Sequence, residues 1–172
     1  MTIDPGLSQV NLRPMTLSDL DEVLGIEFES FPTPWPRDAF LYEIKHANQN
    51  ICWVAEYAPE KASAIVVGYI VIWLMRGTAH IANLSVKPGF RERGIGQHLL
   101  ASALLTCIDA DVQGVMLEVR ASNMIAQRLY LKFGFEVKEK QTDYYKDTHE
   151  DALVMMLFPL IRNKLADLAN YG

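Results

Sequence analysis

Cysteine is scarce in this 172-residue chain: Cys52 and Cys107 are the only two, and they lie far apart inside apolar segments. No CxxC pair or Cys/His cluster accompanies them, which argues against a disulfide scaffold and a zinc ribbon, so both read as buried free thiols. The four histidines, His46, His80, His98 and His149, are scattered without metal-ligand spacing, and no metal is expected. Long apolar runs are missing too. The longest, Ala64 to Met75, spans twelve residues, short of the roughly 18 to 20 that cross a bilayer as a helix. Met1 to Gly6 lacks a basic n-region and an apolar h-region, so no secretory signal is expected and a cytoplasmic location is. Blocks of Lys and Arg are absent and the net charge is −5, which argues against a nucleic-acid groove and suits a cationic ligand such as a protonated amine. Internal repeats, low-complexity tracts and shifts of composition are also absent, and the length fits one domain.

The remaining pattern alternates helices and strands. Residues 1–9 show no periodicity and read as a flexible arm. Val10 to Pro14 suits a short strand, and Thr16-Leu17-Ser18-Asp19 resembles a capping box opening a first helix, with Leu20, Val23, Leu24 and Phe28 at helical spacing. Three prolines in Phe31-Pro32-Thr33-Pro34-Trp35-Pro36 exclude regular structure and predict a rigid aromatic loop before a second helix over Arg37 to Lys45. Strands are predicted at Ile51 to Tyr57, Ala64 to Met75 and Thr78 to Val86. Lys87-Pro88-Gly89 breaks regularity, and a helix with apolar positions 95, 99, 100, 103, 104, 107 and 108 opens at Gly94. Val115, Leu117 and Val119 alternate with Met116, Glu118 and Arg120, so Glu118 points away from the Leu117 face of its strand. Asn123 suits the N-cap of a short helix closed by Gly134. Strands over Glu136 to Tyr145 and Ala152 to Phe158 follow, then an amphipathic tail over 161–172 in which Ile161, Leu165 and Leu168 mark a small helix. The class is α+β.

Chemistry concentrates in Val86-Lys87-Pro88-Gly89-Phe90-Arg91-Glu92-Arg93-Gly94-Ile95-Gly96, where a strand runs through a glycine-containing loop into a helix. Such a junction gathers unpaired backbone N–H groups and the positive end of a helix dipole, a seat for phosphates. Gly94 and Gly96 allow close approach of a ligand, and Arg91 and Arg93 add charge. A Walker A loop is excluded because no Gly-Lys-Ser/Thr follows, and the Rossmann fingerprint lacks its third glycine.

Arg91-Glu92-Arg93-Gly94-Ile95-Gly96 resembles the Arg/Gln-x-x-Gly-x-Gly/Ala motif of the GNAT acetyltransferases. The resemblance implies a mixed, mostly antiparallel sheet of about six to seven strands flanked by about four helices, over a domain at 10–160. It also implies acetyl-CoA as cosubstrate. The strand backbone at Leu84, Ser85 and Val86 would pair with the pantetheine arm, and Glu92, Arg93, Gly94, Ile95, Gly96 and Gln97 would cradle the pyrophosphate. Glu92 departs from the family, whose members often carry a basic or small residue there, so only its backbone can serve that purpose. Further matches point to the RimI-like protein N-terminal acetyltransferases: Leu117-Glu118-Val119-Arg120-Ala121-Ser122-Asn123, Leu129-Tyr130, Phe133-Gly134-Phe135, Tyr144-Tyr145, Glu150-Asp151-Ala152 and the Pro34-Trp35 loop.

An amine near neutral pH must lose a proton before attacking a thioester, and the departing thiolate gains from an acid. The resemblance places the base at Glu118 and the acid at Tyr130, with Asn123 bonding the cofactor arm. Thr78 to Val86 contains no acid, which also favours Glu118 as base. Trp35, Tyr144 and Tyr145 are suited to gripping a peptide N-terminus, the expected acceptor, without nucleic acid or membrane as partner. Plainer roles stand beside these: a solvated strand carboxylate for Glu118, a helix anchor for Tyr130, a cap for Asn123, and simple packing for the aromatics. A second enzyme reading takes a small amine or a lysine side chain as acceptor, though the Pro34-Trp35 loop and Tyr144-Tyr145 favour the peptide, and a CoA-binding module without catalysis is the reading from another class, against which the presence of both Glu118 and Tyr130 counts.

Overall fold

The computed structural model describes residues 7–170, with the side chain of Asn170 excepted. Residues 1–6 of the expected arm and 171–172 of the expected tail lie outside the described residues. Leu7–Gln9 forms one 3-10 turn, and Leu7 packs against the main apolar core. Among the described residues seven strands build one sheet: β1 (Val10–Pro14), β2 (Asn50–Tyr57), β3 (Ile65–Met75), β4 (Thr78–Val86), β5 (Gly114–Arg120), β6 (Glu136–Tyr145) and β7 (Glu150–Leu157). Among the described residues five helices flank it: α1 (Leu20–Ser30), α2 (Arg37–Lys45), α3 (Ile95–Asp109), α4 (Met124–Phe133) and α5 (Arg162–Asn170). Beyond the four that the resemblance implies, the fifth is the amphipathic tail helix, whose Leu165 is buried among the residues of the core that α3 fills.

The strand order is β1-β2-β3-β4-β5-β7-β6, and every pairing is antiparallel except β4 with β5. Apolar side chains on the two sheet faces feed two cores. One gathers Ile70, Ile72, Ala79 and Ile81 with Leu99, Leu100 and Leu104 of α3 and with Tyr130 and Phe133 of α4. The other sets Val54, Tyr69 and Val71 against Leu20, Val23 and Ile26 of α1 and Phe40 of α2. Cys52 and Cys107 are both free and buried, and burial pushes each thiol up to about 12, where it is a poor nucleophile at neutral pH.

Local signals explain where the elements begin. The Thr16 N–H donates to the Asp19 carboxylate at 2.7 Å, and Arg13 holds the same carboxylate with two bonds of 2.8 Å. The Asn123 side chain caps α4 by accepting the Ala126 N–H at 3.1 Å, and Gly134 ends it at a φ of 92°. One helical position departs from expectation. Phe28 is 68% exposed, while Glu27 beside it is 1% exposed. The stripe that α1 buries runs through Leu20, Val23, Ile26 and Glu27, so the residue seven after Leu20, two turns on, is the carboxylate and Phe28 falls outside it.

Candidate active site

The site begins where two strands stop pairing. β4 and β5 run parallel through Thr78↔Gly114, Ala79↔Val115 and His80↔Met116, but β4 continues to Val86 and β5 to Arg120. Past His80 the strands part, and one edge of β4 loses its neighbour while the other stays bonded to β3 through Val86. Backbone polar groups on a parted edge need partners. The gap opens into a cavity of about 480 Å³ walled by Ile81 to Leu84 on one side and Glu118 to Arg120 on the other.

A β-bulge re-aims this part of β4. Val71 of β3 pairs with Asn83 and Ile72 with Ile81, so Ala82 is an extra residue in β4. An inserted residue reverses which face later side chains occupy. Before the bulge Ala79 and Ile81 face the α3 core, and after it Leu84 and Val86 do. Asn83 and Ser85 therefore face α1, where Ser85 donates to Ser30 at 2.8 Å.

Around the cavity, Glu118 rises from β5, Asn123 and Tyr130 come with α4, Trp35 comes from the proline-rich loop, and Tyr144 and Tyr145 end β6; all six line it, as does Leu84. Gln127 fixes the connection into α4 by donating to the Arg120 and Ala121 carbonyls at 3.1 and 2.9 Å. Tyr130 is 7% exposed, its ring edge-on to Phe135 at 5.5 Å. Burial raises its hydroxyl above the ordinary phenol range, with Tyr145 adding to the shift, so Tyr130 is protonated and able to donate at neutral pH. Burial likewise pushes Tyr145 up to about 12 against the opposing pull of Arg120, whose guanidinium lies 3.9 Å from the ring centre. Burial and the Glu118 charge raise Tyr144.

Residues 91–97, at the start of α3, are not among those that line this cavity. Gly94 caps α3 at a φ of 80°, with no side-chain cap, and the first amide with an intrahelical acceptor is that of His98, which donates to Gly94 at 2.9 Å. The amides of Ile95 and Gly96 precede it, among the first-turn N–H groups that every helix leaves without intrahelical acceptors. Glu92 also sits in the left-handed region, at a φ of 62°. Arg91 turns back onto the structure: it donates to the Val86 carbonyl at 2.8 Å and to Ser30 at 2.9 Å. Arg93 lies over the Phe90 ring at 5.3 Å. The Gln97 side chain donates to the Leu168 carbonyl at 2.7 Å and accepts from Lys132 at 2.5 Å, joining the first turn of α3 to α5 and α4.

Three residues in and behind the cavity wall escaped the sequence reading. Glu27 lines the cavity with Asn83, accepting the Trp35 N–H at 2.8 Å, the Tyr69 hydroxyl, and the Asn83 amide at 3.1 Å. His80, which in the sequence is one of four scattered histidines, bonds Glu118 at 2.5 Å. Its position two residues before the bulge was the available clue, because the apolar spacing of β4 jumps from Ala79 and Ile81 to Leu84 and Val86. Among the described residues no group of three or more His, Cys, Asp or Glu could hold a metal, and no helix is long and apolar enough to cross a membrane.

Glu118 and Tyr130 line one cavity where β4 and β5 part, and residues 20–135 match the profile of the Acetyltransferase (GNAT) family. The chain belongs to that family and is an acetyl-CoA-dependent N-acetyltransferase. Within it the likeness is to the RimI type. A protein of Bacillus subtilis (strain 168), provisionally named a ribosomal protein bS18-alanine N-acetyltransferase, is 38% identical over 144 residues, covering 84% of this chain and 92% of its own. An N-alpha-acetyltransferase of Sulfolobus acidocaldarius is 32% identical, covering 84% and 89%. Among solved structures, Ard1 from Thermoplasma volcanium superposes with a TM-score of 0.80 at 27% identity, covering 89% of this chain and 99% of that one.

Proposed function

We propose that this enzyme acetylates the α-amino group of a protein or peptide N-terminus, in the manner of the RimI group, and that its acceptor is a ribosomal protein. The observation that carries the reading is the parting of β4 and β5 after His80, which sets Glu118 and Tyr130 on the same cavity. The residues present fit acetyl-CoA: the β4 edge at Leu84, Ser85 and Val86, which has no β5 partner and whose Val86 carbonyl is held by Arg91, suits an amide-bearing arm, and the backbone from Glu92 to Gln97 at an uncapped helix start suits a diphosphate. Asn123, at the cavity wall, keeps its capping bond and can also meet the arm. Acetyl-CoA supplies the acetyl group as an activated thioester.

This chain's own residues handle the protons. Glu118 takes a proton from the acceptor ammonium, directly or through water, which frees the nitrogen lone pair for attack. Tyr130, held protonated by burial, gives its proton to the departing sulfur. Trp35, Tyr144 and Tyr145 form aromatic walls with polar edges where the first residues of a peptide would lie. Names of the relatives in Bacillus subtilis and Sulfolobus acidocaldarius support an α-amino acceptor.

The test is a panel of N-terminal peptides, the bS18 N-terminus among them, incubated with acetyl-CoA and read by mass spectrometry. Acetyl groups should appear on α-amino groups. A panel in which only lysine side chains or free small amines gain acetyl would overturn the assignment.

A further inference from the structure

Glu118 does not stand alone on its strand. Its Oε2 meets Nε2 of His80 at 2.5 Å, and both side chains are about four-fifths buried, at 18% and 19% exposure. His80 belongs to the last paired position of β4 and β5, the point at which the gap begins. Glu118 lines the cavity and His80 is not among its lining residues, so the contact of His80 with the site runs through the carboxylate it bonds.

The histidine is oriented from its other side. Nδ1 is buried with no partner among the described residues; a proton there would have no acceptor, so the network assigns the proton to Nε2 and makes His80 the donor. The ring stacks on Trp73 at 5.3 Å and 26°. Trp73 in turn stacks on Trp35 at 6.3 Å and 15°, and its indole N–H donates to Glu43 at 2.9 Å. A continuous row thus runs from the proline-rich loop through Trp73 and His80 to Glu118.

Resting on the reading of Glu118 as base, we infer that His80 is a positioning residue for this reaction. By donating Nε2–H to Oε2 it fixes the carboxylate at the cavity wall, and Oε1, which has no partner among the described residues, is left to accept the proton of the incoming ammonium. A carboxylate free to rotate on a strand would spend part of its time in orientations that cannot reach that proton, and misplacement of a base lowers the rate of the chemical step without touching cofactor binding.

Two substitutions separate donation from packing. His80→Gln keeps an N–H donor and loses the ring; His80→Phe keeps the ring against Trp73 and loses the donor. Rates of acetylation of an accepted N-terminal peptide should fall about tenfold in the Phe variant, with the KM for acetyl-CoA within about twofold, and stay within about threefold of wild type in the Gln variant. The reverse order, Phe active and Gln impaired, would reduce His80 to ring packing and overturn the inference. If the Phe variant does not fold, His80→Asn takes its place, its amide being too short to reach the carboxylate. Combining His80→Phe with Glu118→Gln should add little to the loss from Glu118→Gln alone, since a residue acting through another has nothing further to lose. A full multiplicative loss in the double variant would also overturn the positioning role. Unchanged turnover in Glu118→Gln itself would instead remove the base from the proposed function, a result distinct from an active His80→Phe beside an impaired Glu118→Gln, which removes His80 alone.

Discussion

The Glu27 carboxylate accepts the backbone N–H of Trp35 at 2.8 Å, and so ties the buried stripe of α1 to the loop that walls the acceptor cavity. The same carboxylate takes the Tyr69 hydroxyl and the Asn83 amide. Glu27→Ala takes an acceptor from three buried or half-buried donors, leaving the Tyr69 hydroxyl only the long bond to Asn83 Oδ1 at 3.3 Å, and unsatisfied donors of this kind cost about 1 to 3 kcal/mol each. We expect a loss of about 3 kcal/mol in urea unfolding, together with a raised KM for peptide as the Trp35 loop loosens. A Glu27→Ala protein with wild-type stability and peptide KM would show that the carboxylate holds nothing in place.

Gly94 carries the acetyl-CoA assignment on its backbone. At a φ of 80° a side chain is strained by about 1 kcal/mol, and a Cβ there would stand 3.4 Å from Cδ1 of Leu7. Gly94→Val should therefore weaken coenzyme A binding about tenfold or more, read by isothermal titration, with a smaller loss of thermal stability. Equal affinity in the two proteins would place the diphosphate somewhere other than this helix mouth.

Glu92 is the natural counter-test, because its left-handed backbone and its charge both oppose the role of the loop. With a φ of 62° it adopts a conformation that glycine takes without strain. Replacing it by glycine removes a negative charge from beside the proposed diphosphate. The KM for acetyl-CoA should drop about two- to fivefold at low ionic strength and the gain should shrink as salt screens it. A rise in KM would mean that the carboxylate itself contributes to binding.

Much of this arrangement is legible in the sequence because it is local. The period-2 pattern of β5 placed Glu118 opposite the Leu117 face, and residue 118 is half-buried between buried Leu117 and Val119. Asn123, Gly134 and the three prolines announce their turns through their own backbone chemistry. What stayed hidden depends on distant partners. Glu27 reads as the polar flank of an amphipathic helix, and only Tyr69, 42 residues on, and Asn83, 56 residues on, make it a buried acceptor. His80 meets Glu118 across 38 residues, through the parallel pairing of β4 with β5 at His80 and Met116, which neither strand announces alone.

Asp147 closes the rim of the cavity, and acid should open it. Its carboxylate accepts Thr33 at 2.8 Å and Arg120 at 2.8 Å, joining the turn after β6 to the proline-rich loop. Arg120 foremost, then Thr33, lowers Asp147 from 3.8 to about 2. A depressed carboxyl pKa stabilises the fold above its unfolded value and ceases to do so as pH falls through the folded one. The stability difference between wild type and Asp147→Asn should thus be constant above about pH 5 and shrink toward pH 2. A difference independent of pH across that window would remove Asp147 as the charged clasp.

Tyr130 separates the two halves of the proposed proton traffic. Phenylalanine at this position keeps the edge-on contact with Phe135 and removes only the hydroxyl, so stability should change little while single-turnover acetylation slows about a hundredfold. The KM for acetyl-CoA should hold, because the ring still walls the cavity. Burial raises the hydroxyl, and its deprotonation would therefore not depress the wild-type rate below the ordinary phenol pKa of about 10. Single-turnover rates measured from pH 6 to pH 10 decide the matter: a wild-type rate that falls at the alkaline end, with the fall abolished in Tyr130→Phe, would mean that this phenol ionises within the working range and is not the protonated donor its burial implies.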